Sequence, residues 1–158
     1  MQGPADAPIV LLEYGDYECV FCGDAHSIVK KIQQRLAGRL CFVFRNFPAA
    51  NAHPHAQRAA EVAEAAGVQG KFWEMHDLLF EHQDALEDDQ LSKYASILGL
   101  NAERLMKEVF AGVHTARVKE DFKSGARGGV NGTPTFFING ERYDGDLDFE
   151  ELLDALLE

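Results

Sequence analysis

The chain has 158 residues, 46% of them hydrophobic, and a formal charge of −11 at neutral pH. That length suits one domain, or one small domain carrying an insertion, with enough apolar side chains to bury a core. The acidic balance argues against nucleic acid or an anionic membrane as partner, because both are bound through basic patches.

No apolar run approaches the ~20 residues needed to cross a bilayer, so no membrane span is predicted. The opening Met1-Gln2-Gly3-Pro4-Ala5-Asp6 has neither the basic start nor the apolar stretch of a signal peptide. This points to the cytoplasm. The mature part of an exported protein, periplasmic or otherwise extracytoplasmic, is the alternative.

Residues 9–14, with the apolar run Ile9-Val10-Leu11-Leu12, read as a short buried strand. A helix is expected from about Cys22 to Ala37, because Cys22, Ala25, Ile28, Val29, Ile32 and Leu36 share one face. Gly38 supplies its stop. Leu40-Cys41-Phe42-Val43-Phe44-Arg45 is rich in strand formers. These pieces make a β-α-β unit, whose strands should be parallel and joined by a right-handed crossover.

From His55 to about Lys123 strand signals give way to helical ones. An alanine-rich helix (Ala56, Ala59, Ala60, Ala63, Ala66) closes at Gly67, and Phe72, Met75, His76, Leu79 and Phe80 form an aromatic stripe. Leu91, Tyr94, Ala95 and Leu98 form another, and Asn101 reads as the N-cap of a helix carrying Leu105, Met106 and Val109. One more helix runs into the glycines of 125–132. Strands return at Thr135–Ile138 and Glu141–Tyr143, separated by the hairpin signal Asn139-Gly140. Asp148-x-x-Glu151 is a capping-box pattern opening a last helix.

The order β-α-β, helices, β-β-α predicts one mixed sheet with helices on its faces. That is an α/β thioredoxin-like arrangement with an inserted helical domain. The expected division is a discontinuous thioredoxin-like domain, 1–54 and 124–158, interrupted by a helical insertion, 55–123.

The chemistry-bearing stretch is Glu13-Tyr14-Gly15-Asp16-Tyr17-Glu18-Cys19-Val20-Phe21-Cys22. It puts two cysteines at the start of a helix, just past a strand. The unpaired N–H groups and positive dipole end of a helix N-terminus favour a thiolate, which is the reactive form of cysteine. A strand, Cys-x-x-Cys, then a helix makes a dithiol redox site. Cys19, the more N-terminal, is the expected nucleophile, and Cys22 the resolving thiol. The bland alternative is a structural or zinc-binding pair. Two cysteines supply only half a structural zinc set, although His26 could add a ligand or be an ordinary polar residue on the helix's outer face. No metal or other cofactor is expected.

Three motifs in order carry a resemblance. Glu13-Tyr14-x-Asp16-Tyr17-x-Cys19-x-x-Cys22, Phe44-Arg45-Asn46-Phe47-Pro48 and Gly129-Val130-Asn131-Gly132-Thr133-Pro134-Thr135-Phe136 resemble those of the DsbA-like branch of the thioredoxin superfamily, a bacterial family, over nearly the whole chain. One departure stands out: Val20 occupies the place where the family has proline after its first cysteine, and Phe21 follows it.

The resemblance implies a protein disulfide oxidoreductase acting on protein or peptide thiols and disulfides, with a thioredoxin- or glutathione-type recycling partner. It implies a cis Thr133–Pro134 bond that turns the Thr133 backbone toward the dithiol, where it could pair with an extended substrate. Val20 and Phe21 are expected to meet substrate with Thr133 and Pro134. It also supports Glu13 as the acid–base group for Cys22, since a carboxyl buried in an apolar strand has a raised pKa. A strand-end glutamate facing solvent is the alternative.

Val20 and Phe21 bring no cation or polar donor, and Asp16 and Glu18 place negative charge nearby, which should oppose the thiolate. The expected poise is therefore that of a reductase or isomerase, not a strong oxidant. The competing functions are a glutathione-dependent transferase or isomerase on the same fold, and a metal- or thiol-binding module using Cys19, Cys22 and His26. Cys41 reads as a small core residue. Trp73 and the aromatic stripe read as the core of the insertion. His53, His55, His76, His82 and His114 show no metal-ligand spacing and are assigned no role.

Overall fold

The computed structural model describes residues 1–158. Its elements in chain order are β1 (Ile9–Gly15), α1 (Val20–Arg35), β2 (Leu40–Asn46), α2 (Ala56–Val68), α3 (Phe72–Glu81), α4 (Asp88–Ile97), α5 (Ala102–Phe110), α6 (Thr115–Arg127), β3 (Thr135–Ile138), β4 (Glu141–Tyr143) and α7 (Phe149–Leu156). The strands form one mixed sheet in the order β2-β1-β3-β4. β1 and β2 run parallel, with Glu13 opposite Phe44 and Gly15 opposite Asn46. β3 lies antiparallel to β1 on its other side, and β4 antiparallel to β3. This is the thioredoxin-like mixed α/β sheet that the element order predicts.

Local chemistry accounts for the element ends. Asn139 (φ 48°) and Gly140 (φ 88°) turn the β3–β4 hairpin through the left-handed backbone region that asparagine and glycine tolerate. Asn101 caps α5 by accepting from Arg104 N–H. Asp148 caps α7 by accepting from Glu151 N–H, while the Glu151 carboxylate reaches back past the cap to Asp146 N–H at 2.9 Å. The first helix departs from the expected bounds. It begins two residues earlier, at Val20, because extended Cys19 is its N-cap, and it ends at Arg35.

A single cluster of 32 buried residues joins the sheet to the long run of helices. Leu11, Phe42, Phe44 and Phe136 come from strands, Cys22, Ala25, Val29 and Ile32 from α1, and Met75, Leu79 and Phe80 from α3. The aromatic stripe of α3 is therefore not the interior of a self-contained insertion, as the sequence suggested. It is the seam against the sheet: Trp73 meets Phe42 with ring centroids 5.7 Å apart, and His76 meets Phe44 at 4.6 Å. These large rings are buried at the seam between α3 and the sheet, while α2–α6 also pack among themselves. Cys41 is 2% exposed in β2, a buried residue.

On the opposite sheet face α6 packs at Gly125 against Tyr14 and Phe47. A Cβ there would lie 2.9 Å from ring atoms of both. Gly125→Ala should cost about 1–3 kcal/mol by overpacking, seen as a lower urea midpoint with an unchanged slope. An unchanged midpoint would mean that the α6 contact is looser than these distances require.

Candidate active site

The site is assembled where β1 ends. Its last turns carry Glu13, 2% exposed, and the buried Asp16 and Tyr17. The chain then reaches Cys19, whose carbonyl accepts from the N–H groups of Cys22 and Gly23, both at 3.1 Å. Helical spacing brings Cys22 back beside Cys19, so that the two thiols hydrogen-bond. Cys22 is fully buried and Cys19 is 7% exposed, while Val20 and Phe21 between them stand 69% and 64% exposed. Two apolar side chains thus stand exposed between the cysteines. All three cysteines are free thiols.

From the other side the Thr133–Pro134 peptide bond is cis. The Thr133 carbonyl oxygen lies 3.7 Å from Cys19 Sγ, within reach of the thiol as donor. Thr135 Oγ1 donates to Gly132 O at 2.7 Å and holds that loop.

The electrostatics divide the two sulfurs. The Cys19 pKa is lowered from 9.0 to about 5, chiefly by the hydrogen bond from the Cys22 thiol. Burial opposes this, and the Thr133 side chain and the N–H groups of Cys22 and Phe21 add to it. Cys22 is pushed up, first because it donates that bond and then by burial and the nearby Glu13. Glu13 itself rises from 4.5 to about 8, mainly through burial and secondarily through Cys19. Its Oε2 has no hydrogen-bond partner. Strand phase thus turns Glu13 inward, not toward solvent.

Several neighbours were not legible in the sequence. Gln83, just beyond α3, donates Nε2–H to the carbonyls of Tyr17 at 3.0 Å and Cys19 at 2.7 Å, tying the turn that carries the nucleophile to the helical segment. Tyr17 OH lies 2.8 Å from His76 Nδ1, so His76 is a buried partner of the site's turn. Asp16 and Glu18 are not bare negative charges beside the thiol. His53 Nδ1 lies 2.7 Å from Asp16 Oδ2, and His55 Nδ1 lies 2.7 Å from Glu18 Oε2. No local pattern announces these contacts, because the partners are 37 to 66 residues apart.

His26 also departs from expectation. It does not sit on an outer face but stacks on Phe80, with centroids 5.1 Å apart. Its ligand-capable atoms cluster with His76 and Asp77, not with the cysteines. Lys30 Nζ, 2.7 Å from Asp77 Oδ2, already neutralises that carboxylate. His26 is thus placed with His76 and Asp77 and not with the cysteines.

A family model described as Thioredoxin matches residues 1–158. Among solved structures, oxidised BdbD from Bacillus subtilis superimposes with a TM-score of 0.88 at 25% identity, covering 98% of this chain and 89% of that one. A thioredoxin-like oxidoreductase from Silicibacter pomeroyi gives 0.85 at 25%, covering 98% and 87%. The chain belongs to the thioredoxin family that this family model describes. It is also 42% identical, over 156 residues, to the Na(+)/H(+) antiporter NhaA 1 of Salinispora arenicola, a match covering 99% of this chain and 24% of that protein. The chain spans about a quarter of the length of the curated relatives it matches. None of its helices is long and apolar enough to cross a membrane.

The raised Glu13 carboxyl ties stability to pH. The unfolded chain releases this proton near 4.5 and the folded chain near 8, so between those values the unfolded state gains and folding stability falls as pH rises. Glu13→Gln should abolish that fall. Relative to the parent it should gain stability from pH 5 to pH 9, by on the order of 4 kcal/mol at most. Parallel denaturation curves for parent and variant would place Glu13 outside the desolvated site.

Proposed function

We propose that the enzyme exchanges disulfides with polypeptide substrates through Cys19 and Cys22, as a reductase or isomerase and not as a strong oxidant. The observation that carries this is the split between two adjacent sulfurs: one, on a residue that keeps 7% exposure, holds its charge at neutral pH, and the other, fully enclosed, keeps its proton. The Cys19 thiolate attacks one sulfur of a substrate disulfide. A new S–S bond forms to Cys19, and the other substrate sulfur leaves with the electron pair. With the Cys19 charge gone, Glu13 releases its proton to solvent more readily; the ionised Glu13 then takes the Cys22 proton as Cys22 attacks Cys19 Sγ. This closes the 19–22 disulfide and frees the reduced substrate.

Glu13 suits this transfer, because a group titrating near 8 changes state near the working pH. The step leaves the enzyme oxidised by two electrons. A thioredoxin- or glutathione-type dithiol returns it to the reduced form, as fits a reducing compartment such as the cytoplasm. Thr133 offers its backbone to an extended substrate beside Pro134, in the manner of an added strand. Val20 and Phe21 meet the substrate's apolar side chains.

The poise follows from the thiolate. Strongly oxidising dithiols stabilise the reduced form with nucleophile pKa values of about 3.5, whereas Cys19 reaches about 5 and Val20 and Phe21 add no donor side chain. The glutathione-transferase reading is disfavoured by Cys22, a paired second thiol with no part in such a reaction. The proposal draws on the dithiol and not on the antiport named for the longer relatives.

Cys22→Ala should accumulate mixed disulfides on Cys19, recoverable by non-reducing electrophoresis. Insulin reduction should vanish in Cys19→Ser. Absence of both would remove the oxidoreductase assignment to this pair. In a glutathione redox buffer the potential should lie well below about −120 mV, the value of a strong oxidant; a value there would overturn the reductase assignment alone.

A further inference from the structure

Two carboxylates stand just ahead of the nucleophile, and each is met by a histidine from the loop joining β2 to α2. Asp16 is 1% exposed. Its Oδ1 accepts from Glu18 N–H at 2.8 Å, and its Oδ2 from Ala49 N–H at 2.9 Å and from His53 Nδ1 at 2.7 Å. Glu18 accepts from His55 N–H at 2.8 Å through Oε1 and from His55 Nδ1 at 2.7 Å through Oε2. An ionised carboxylate only accepts, so each Nδ1 carries a proton. That geometry is the same for a neutral imidazole and for an imidazolium. Protonation changes the charge of the pair, from −1 to zero, without breaking a contact. The imidazoles can exchange protons with solvent, since the His53 and His55 side chains are 30% and 39% exposed.

We propose that His53, assisted by His55, is a positioning residue for the Cys19 thiolate: as imidazolium it cancels the Asp16 carboxylate that otherwise opposes charge on Cys19, and when it loses its proton the thiolate is left facing that carboxylate unscreened. The inference rests on Cys19 as the ionised nucleophile of the site. His53 faces Asp16, Glu18 and Cys19. His55 faces Glu18, and Cys19 faces Cys22 and Glu13. Below pH 8 Glu13 is largely neutral, and Cys22 keeps its proton. The His53–Asp16 pair stands in the turn whose Asp16 carbonyl accepts from Cys19 N–H at 3.1 Å, and is therefore the neighbouring charge that varies around Cys19. The Asp16 bond raises His53 above its ordinary 6.5, which extends the cationic form toward neutral pH.

Coupling between two sites is reciprocal. If the imidazolium favours the thiolate, the thiolate must favour the imidazolium. The His53 ring should hold its proton more tightly in the reduced protein than after the Cys19 charge is lost to a disulfide. The difference should be about half a pKa unit, the size of one partly screened charge interaction.

NMR titration of the His53 ring signal in the oxidised and reduced forms of the unaltered protein measures this directly. Cys19→Ser, which has no thiolate, should reproduce the oxidised value. A His53 titration identical in both redox states, or a Cys19→Ser value equal to that of the reduced protein, would overturn the proposal. In the same vein His53→Gln, which keeps a donor but no charge, should raise the pH midpoint of Cys19 alkylation by iodoacetamide by about half a unit. The Cys19→Ser comparison does not require the disulfide to form, so loss of insulin reduction and loss of this coupling are separate results.

Discussion

The interaction of two neighbouring sulfurs governs this site. The Cys22 thiol donates to Cys19, and this bond is the largest cause of the low pKa of one sulfur and the high pKa of the other. It exists only because Cys19 is extended, with φ −77° and ψ 123°, while Cys22 already lies in the helix. That conformation leaves the first residue slightly exposed, at 7%, and the second fully buried. Three neighbours hold it: β1, whose end sets where the turn begins; Gln83, which bonds the Cys19 carbonyl; and the Thr133 loop, whose carbonyl stands over Cys19. Gln83 acts on the Cys19 backbone and Thr133 on its sulfur, and the apolar Val20 and Phe21 remain exposed.

The long helical run between β2 and β3 supports the same few residues. α3 contributes His76 to Tyr17 and the rings that meet Phe42 and Phe44, and the segment after it contributes Gln83. The loop before α2 contributes His53 and His55. A carboxylate enclosed as Asp16 is would be costly without such partners. Its three hydrogen-bond donors, two of them backbone N–H groups, compensate that burial and bind the β2–α2 loop to the turn before the nucleophile. Glu13 is the contrasting case, a buried carboxyl with an unpartnered oxygen, so it holds its proton instead of its charge.

Much of the fold was legible because its signals are local. The apolar run of β1, the Asn139-Gly140 turn, and the Asn101 and Asp148 caps each depend on residues within a few positions of one another. The Cys-x-x-Cys spacing belongs to the same class, because one helical turn is enough to juxtapose the two sulfurs. The start of α1 was misplaced by two residues, since Val20 and Phe21 face solvent and so lack the apolar periodicity that marks a buried helix face. The α3 stripe was correctly apolar but assigned to the wrong surface, because periodicity identifies a buried face without naming what covers it.

The amino-acid order by itself determined the elements, their succession and the pairing of two thiols at a helix start, all of which follow from backbone geometry and spacing over short range. The tertiary structure alone decided which side chains surround those thiols: Glu13 turned inward, Gln83 on the Cys19 carbonyl, and His53 and His55 on Asp16 and Glu18. These contacts join residues tens of positions apart. Their hydrogen bonds and charge compensation arise only when the sheet and helices have closed around the turn and excluded water from it.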